Sequence, residues 1–189
     1  MSRSPGVRSF LLFAALFFTF SVPLFLLWVY VLRQPYLTGL AHIFAATARL
    51  LGQQVDVVYV HDTQIRFSYA GLEWSDEFGL TGINIVPLVA LILATFPLTW
   101  TRRLRVLWIG VLILLGTHIL GLWSDIAHVH LHRHPIGLRF ADGLRALLMG
   151  FGTFLFPVLI WLVLVRDLVL TQVRELLPRS GTRSGETRA

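Results

Sequence analysis

The sequence contains no cysteine among its 189 residues, and it contains no lysine. The absence of cysteine excludes disulfides, thiolate metal ligands and a cysteine nucleophile. Charged residues make up only 14% of the chain, against about 25% in an ordinary soluble domain. Long stretches carry no charge at all, and such stretches cannot form a surface that faces water. The deficit of charge therefore predicts that lipid surrounds much of this chain.

Apolar stretches of bilayer length predict an all-α polytopic membrane protein with about four transmembrane (TM) helices. The first stretch, 10–32, is longer than the apolar region of a signal peptide and shows no obvious cleavage pattern, so we expect an uncleaved anchor. In chain order, the predicted segments are a cytoplasmic N-terminus at 1–9, TM1 at 10–32, a periplasmic segment at 33–79, TM2 at 80–100, a cytoplasmic turn at 101–105, TM3 at 106–124, a periplasmic histidine-rich loop at 125–143, TM4 at 144–165 and a cytoplasmic arginine-rich tail at 166–189.

The distribution of arginine predicts the orientation of these spans. With an even number of spans, both termini lie on one side, and that side would hold ten of the sixteen arginines. They are Arg3, Arg8, Arg102, Arg103, Arg105, Arg166, Arg174, Arg179, Arg183 and Arg188. The positive-inside rule therefore predicts a multi-pass protein of the bacterial inner membrane with both termini in the cytoplasm. Because topology distributes this charge and does not gather it on a folded face, we expect the lipid bilayer as a partner and no nucleic acid.

The segment between the first two spans carries signals for a helix and a β-hairpin. Residues 36–51 place Leu40, Ile43, Phe44, Thr47 and Leu51 at helical spacing, and Gly52 marks the end of the helix. We expect this amphipathic helix to lie at the outer membrane interface. The runs 55–60 and 64–69 are rich in β-branched and aromatic residues, and three residues separate them. They predict a small β-hairpin that packs on the membrane domain or on a partner.

The second outward segment is rich in histidine. Its candidate metal ligands are Asp125, His128, His130, His132 and His134. In an extended chain the four imidazoles would share one face, whereas in a helix Asp125, His128 and His132 would share one. Either geometry can hold a divalent metal through nitrogen and carboxylate ligands. The alternative is that these histidines are solvated at the membrane surface, and Arg133 within the cluster disfavours a dication.

Two further polar residues lie at predicted membrane depth. His118 falls within the third predicted span, and Asn84 lies near the outer end of the second. Ionisable side chains at such depth usually face the interior of a helix bundle or a cavity. The sequence leaves two roles open for His118, a structural hydrogen bond to a neighbouring helix or a position that faces a ligand.

The order of these parts resembles a known family. An anchor precedes an outer helix that ends in the run Ala45 to Gly52, and a β-rich segment then enters a span through residues 80–83. An arginine turn, a helix with a polar residue in mid-span, a histidine-bearing outer loop and a final helix follow. Over about 37–165 this order is similar to the exosortase/archaeosortase family, particularly small members such as exosortase H.

The resemblance implies three catalytic positions, and two of them are changed here. Where the family has a cysteine nucleophile that acts on C-terminal sorting tails, this sequence has Leu80, followed by 81–83. The family's asparagine, followed three positions later by arginine, matches His118 and Gly121. The outward histidine of the family has three candidates here: His130, His132 and His134. Leucine cannot attack a carbonyl and glycine cannot stabilise an oxyanion, so sortase chemistry is excluded.

Three functions compete on these grounds. The resemblance implies a non-catalytic accessory protein of an exosortase-type sorting and processing system, whose partners are an active exosortase or proteins with sorting tails. The alternative is a metal-dependent membrane enzyme, with a divalent metal at Asp125, His128 and His132 that activates water. No glutamate stands in a His-Glu-x-x-His arrangement, which removes the commonest form of such an enzyme. A transporter component ranks last, because few ionisable residues lie at membrane depth.

Overall fold

The computed structural model describes residues 5–61, 63–69, 71–77, 82–96, 98–131 and 135–176. These residues are mostly helical, with one small sheet. The helices are α1 (Pro5–Leu27), α2 (Arg33–Leu50), α3 (Ile85–Ala94), α4 (Trp100–Leu131), α5 (Pro135–Arg145) and α6 (Gly152–Leu176). A π-helical segment, Trp28–Leu32, joins α1 to α2, a second, Ala146–Phe151, joins α5 to α6, and the 3₁₀ turn Gly82–Asn84 precedes α3. The strands are β1 (Val55–His61), β2 (Gln64–Tyr69) and β3 (Leu72–Glu77).

Two helical stretches are long and apolar enough to cross a membrane, as in a membrane protein. They are Arg8–Leu50, with 43 residues, and Trp100–His128, with 29. The helix pair Ile136–Leu148 and Gly152–Asp167 meets the same criterion only when both are counted together, and it is bent by 64°. Length and composition therefore give two candidate spans, or three if the bent pair counts as a single span, whereas four were predicted.

The predicted second span is not a full-length helix in the structure. Within 80–100 the helix α3 has only ten residues, and its backbone becomes extended at Thr95 (φ −70°, ψ 115°). Pro97 follows two positions later in the sequence, and proline disfavours helix both at its own position and at the residue before it. The average hydropathy of the stretch conceals this break. Gly82–Ala94 is a short apolar helix in place of the full-length one that was predicted.

Two segments predicted as non-helical are helices. Residues 101–105, predicted as a turn, form the start of α4, where the Arg103 N–H donates to the Thr99 carbonyl at 2.9 Å. Arginine is a good helix former, so these residues continue the first turn of α4. The predicted loop 125–143 is also largely helical, because α4 continues to Leu131 and α5 begins at Pro135. Proline is favoured at the first position of a helix, and here it opens α5.

The helix predicted at 36–51 is confirmed as α2, although its buried face is rotated from the predicted one. Its position at the outer membrane interface stays a prediction. The buried residues are Leu37, Leu40, Ala41, Phe44, Ala45 and Ala48. Ile43 and Leu51, which were assigned to the apolar face, are 42% and 68% exposed. The helix ends at the expected place, since Gly52 has a φ of +78°, a conformation that glycine adopts readily.

The predicted β-hairpin is confirmed, and a third strand extends it. β1 and β2 pair antiparallel, with Val55 opposite Tyr69 and His61 opposite Gln64. β3 pairs antiparallel with β2 on its other side, so the strand order is β1-β2-β3. β3 was not predicted, because three of its six residues are acidic and acidic residues are uncommon in strands.

Two apolar cores lie along α4. The membrane core joins α3, the first half of α4 and α6, and contains Leu88, Ile92, Leu98, Val106, Leu114, Ile160 and Val165. The second core joins α2, the sheet and the second half of α4, and we call it the outward core because the sequence predicts α2 and the sheet on the outer side of the membrane. It contains Leu37, Leu40, Ala41, Phe44, Ala48, Val55, Ile65, Phe67, Tyr69, Leu122 and Ile126. We call the elements around the outward core the outward module. α4 therefore connects the module to the membrane core.

Candidate functional site

His118 occupies the point on α4 where the two cores meet. Leu114, one turn before it, belongs to the membrane core, and Leu122, one turn after it, belongs to the outward core. A spacing of four residues puts all three side chains on one helix face. The His118 side chain is 1% exposed, as buried as the leucines on either side. A buried polar group needs hydrogen-bond partners, and their identity defines the site.

Tyr36 and Asn84 supply these partners from two other elements. The Tyr36 hydroxyl, on α2, lies 2.5 Å from Nδ1 of His118. Nδ2 of Asn84, in the 3₁₀ turn before α3, lies 3.1 Å from Nε2 of His118. Tyr36 and Asn84 stand 82 and 34 residues from His118 in the sequence. The Tyr36–His118–Asn84 triad thus connects three separate segments at one buried point.

The hydrogen-bond directions in the triad depend on one another. When Asn84 donates through Nδ2, Nε2 of His118 accepts, so Nδ1 carries the proton and donates to the Tyr36 oxygen. If the Asn84 amide is flipped, Oδ1 takes the place of Nδ2 and accepts from Nε2 of His118. Nδ1 then carries no proton, and it accepts from the Tyr36 hydroxyl. Both arrangements suit a neutral imidazole. Asn84 is also 1% exposed, and its Oδ1 atom has no hydrogen-bond partner among the described residues.

Trp28 covers one side of the triad. Its ring is buried and lies 5.2 Å from the Tyr36 ring, measured between centroids. Trp28 opens the π-helical segment between α1 and α2, and such segments occur often at functional sites. Gly82 packs against the same indole, since a Cβ atom there would lie 3.1 Å from Cζ2 of Trp28. The absence of a side chain at Gly82 allows the turn that carries Asn84 to approach this closely.

The predicted metal ligands that the structure describes contact residues of α5. Asp125 is 8% exposed, and its Oδ1 lies 2.7 Å from Nε of Arg145. Nδ1 of His128 lies 2.8 Å from Oδ1 of Asp142. These two contacts hold α5 against the end of α4.

No group of three histidine, aspartate or glutamate residues in the described part of the chain is arranged to hold a metal ion. His130 lies in α4, whereas His132 and His134 lie outside the described residues. The metal site therefore stays a prediction. Of the positions that carry the family resemblance, Leu80 also lies outside the described residues, while His118 and Gly121 share α4.

Sequence reasoning selected His118 and Asn84 but did not pair them, and it missed Tyr36 altogether. A signal for Tyr36 was present, because it precedes Leu40, Phe44 and Ala48 at intervals of four residues on the buried face of α2. A tyrosine in line with a buried face usually needs a partner for its hydroxyl. The partners of Asp125 and His128 were missed because Asp125 and His128 lie within 125–143, which was predicted as a loop and not as parts of two helices.

No protein-family model, curated protein or solved structure matches this chain. The resemblance to exosortases therefore stays a prediction from the order of its parts.

Proposed function

We propose that this chain is a non-catalytic membrane accessory protein whose outward module docks partner proteins at the outer face of the bacterial inner membrane. The observation that supports it is the construction of the outward module. A three-stranded sheet packs on helical segments that continue from membrane-length helices, so the module is held against the membrane domain by an apolar core. A module of this kind presents a fixed surface on which a partner can dock.

The edge of the sheet supports docking. In the strand order β1-β2-β3, β3 has a strand neighbour on one side only, within the described residues. An edge strand offers unpaired N–H and C=O groups to which an extended peptide can add as a further strand. Glu73 and Ser75 are exposed on β3, whereas Trp74 between them stacks on Phe67 of the outward core. The backbone of β3 is therefore held in place from one face, and no strand pairs with its other edge in the part of the chain that the structure describes.

The absence of cysteine and the burial of the triad support a non-catalytic role. His118 and Asn84 are too buried for a substrate to reach them, and their hydrogen bonds connect structural elements. We propose that the triad positions the outward module relative to the membrane helices.

The partner class follows from the family resemblance. We propose that the partner is an active exosortase or a protein with a C-terminal sorting tail.

The proposed topology has four spans with cytoplasmic termini, in which α3 and its flanking residues count as one span. This topology can be tested directly, since the chain has no native cysteine. A cysteine placed at Ser75 should react with a membrane-impermeant thiol reagent in intact spheroplasts, whereas one at Ser180 should react only after lysis.

Photocrosslinking from the sheet edge tests the function. A crosslinking amino acid placed at Ser75 on β3 should capture one protein in the native host, and mass spectrometry should identify it as an exosortase or a protein with a sorting tail. The control is the same amino acid at Val58, an exposed residue of β1 at the opposite edge of the sheet. Equal capture from both sites, or no capture from Ser75, would contradict docking at β3. Unchanged processing of sorting tails after clean deletion of the chain would contradict the accessory role.

A further inference from the structure

A shallow groove of about 500 Å³, open on one side, lies at the start of α4, far along this helix from His118. It is lined by Thr99, Thr101, Arg102, Arg105, Val106, Ile109 and Leu164. The lining residues change in character along the helix, with two arginines and two threonines at one end and three aliphatic residues at the other. Leu164 comes from α6, so the groove runs between two helices of the membrane core.

The charged end of the groove suits an anionic group. Arg102, Arg105, Val106 and Ile109 follow one another at spacings of three, one and three residues, which keeps them on one face of α4. The first N–H groups of a helix have no partner within it and carry a partial positive charge. Oδ2 of Asp167 lies 4.0 Å from Nη2 of Arg102, and the Asp167 side chain is 73% exposed. An exposed contact at that distance is weak, so the two arginines remain available to a ligand.

The apolar end of the groove distinguishes a lipid from a free anion. Inorganic phosphate would gain nothing from Val106, Ile109 and Leu164, whereas an acyl chain would bury apolar surface against them. We propose that this groove binds an anionic phospholipid, with its phosphate at Arg102 and Arg105 and one acyl chain along Ile109 and Leu164. The inference is independent of the proposed partner docking, because the groove lies on the membrane core and not on the outward module.

Native mass spectrometry of the purified full chain in a non-ionic detergent tests this inference. Phosphatidylglycerol, phosphatidylethanolamine and inorganic phosphate would each be titrated, and the bound species counted. We expect one phosphatidylglycerol to bind in preference to phosphatidylethanolamine. Each arginine near a lipid phosphate contributes about fivefold in affinity, so Arg102→Gln/Arg105→Gln should weaken binding on the order of 25-fold. The control Arg8→Gln/Arg166→Gln removes two arginines outside the groove and should leave the affinity unchanged.

A second variant keeps the charge and blocks the apolar end. Ile109→Trp fills the groove, so it should reduce phosphatidylglycerol binding while leaving both arginines in place. Three outcomes would overturn the proposal: competition by inorganic phosphate at the same affinity as the lipid, equal loss of binding in the control variant, or no preference for the anionic lipid.

Discussion

Replacing Tyr36 by phenylalanine should have opposite effects on stability in two backgrounds. In the wild-type chain, Tyr36→Phe removes the hydroxyl that lies 2.5 Å from Nδ1 of His118 and leaves that buried nitrogen without this partner. The loss of one partner from a buried hydrogen bond costs about 1–3 kcal/mol of unfolding free energy. In a His118→Leu background the same hydroxyl is itself the orphaned group. Its removal there should stabilise the chain by about 1 kcal/mol.

The assay is a double-mutant cycle in detergent, with unfolding followed by tryptophan fluorescence. His118→Leu alone should be the most destabilised variant of the cycle, because it leaves both the Tyr36 hydroxyl and the Asn84 amide without their hydrogen bond to His118. Tyr30→Phe is the matched control, since Tyr30 is 80% exposed and should change stability by less than about 0.5 kcal/mol. If Tyr36→Phe costs the same in both backgrounds, the two side chains are not coupled and the triad as described is wrong.

Two further substitutions test the packing around the site. Gly82→Ala should cost roughly 1 kcal/mol, because its Cβ would meet the buried Trp28 indole at 3.1 Å, whereas Gly39→Ala has nothing within 4 Å and should be neutral or slightly stabilising. Equal stabilities of these two variants, measured by thermal unfolding, would contradict the close approach at Gly82. Phe44→Ala should cost about 3–5 kcal/mol, because Phe44 is fully buried in the outward core. Ile43→Ala on the exposed side of the same helix should cost far less, and a similar loss in both variants would mean that the buried face of α2 is misplaced.

Local patterns predicted three elements of the outward module, namely α2, β1 and β2. β-branched and aromatic residues at 55–60 and 64–69 favour strands on a half-buried surface, and Gly52 ends α2 through its own backbone conformation. The end of α3 and the start of α4 were harder to predict. Hydropathy averages over a window, so it cannot separate a helix broken before Pro97 from one that continues. It also cannot distinguish a charged turn at 101–105 from the charged first turn of α4.

The site itself could be predicted only in part. His118 was identifiable because a polar residue at membrane depth is costly, and Asn84 for a similar reason. Their contact with each other, and the contact of His118 with Tyr36 on α2, depend on how separate segments pack, and no spacing in one sequence carries that information. β3 was missed for a related reason. Its acidic residues disfavour a strand, and it is stabilised by pairing with β2 and by the stacking of Trp74 on Phe67.

The position of His118 also predicts which backbone amides should exchange faster when His118 is replaced. Apolar surfaces alone fix the register of two helices weakly, because leucine packs acceptably against several neighbours, whereas hydrogen bonds are directional. In His118→Leu both cores keep their side chains, but α2 and α4 lose the polar contact that sets their relative position. Amide hydrogen exchange should therefore rise between residues 114 and 122 of α4, while amides of β2 keep their protection. Equal deprotection of α4 and β2 would show instead that His118 contributes only to global stability, and the positioning role would then have to be abandoned.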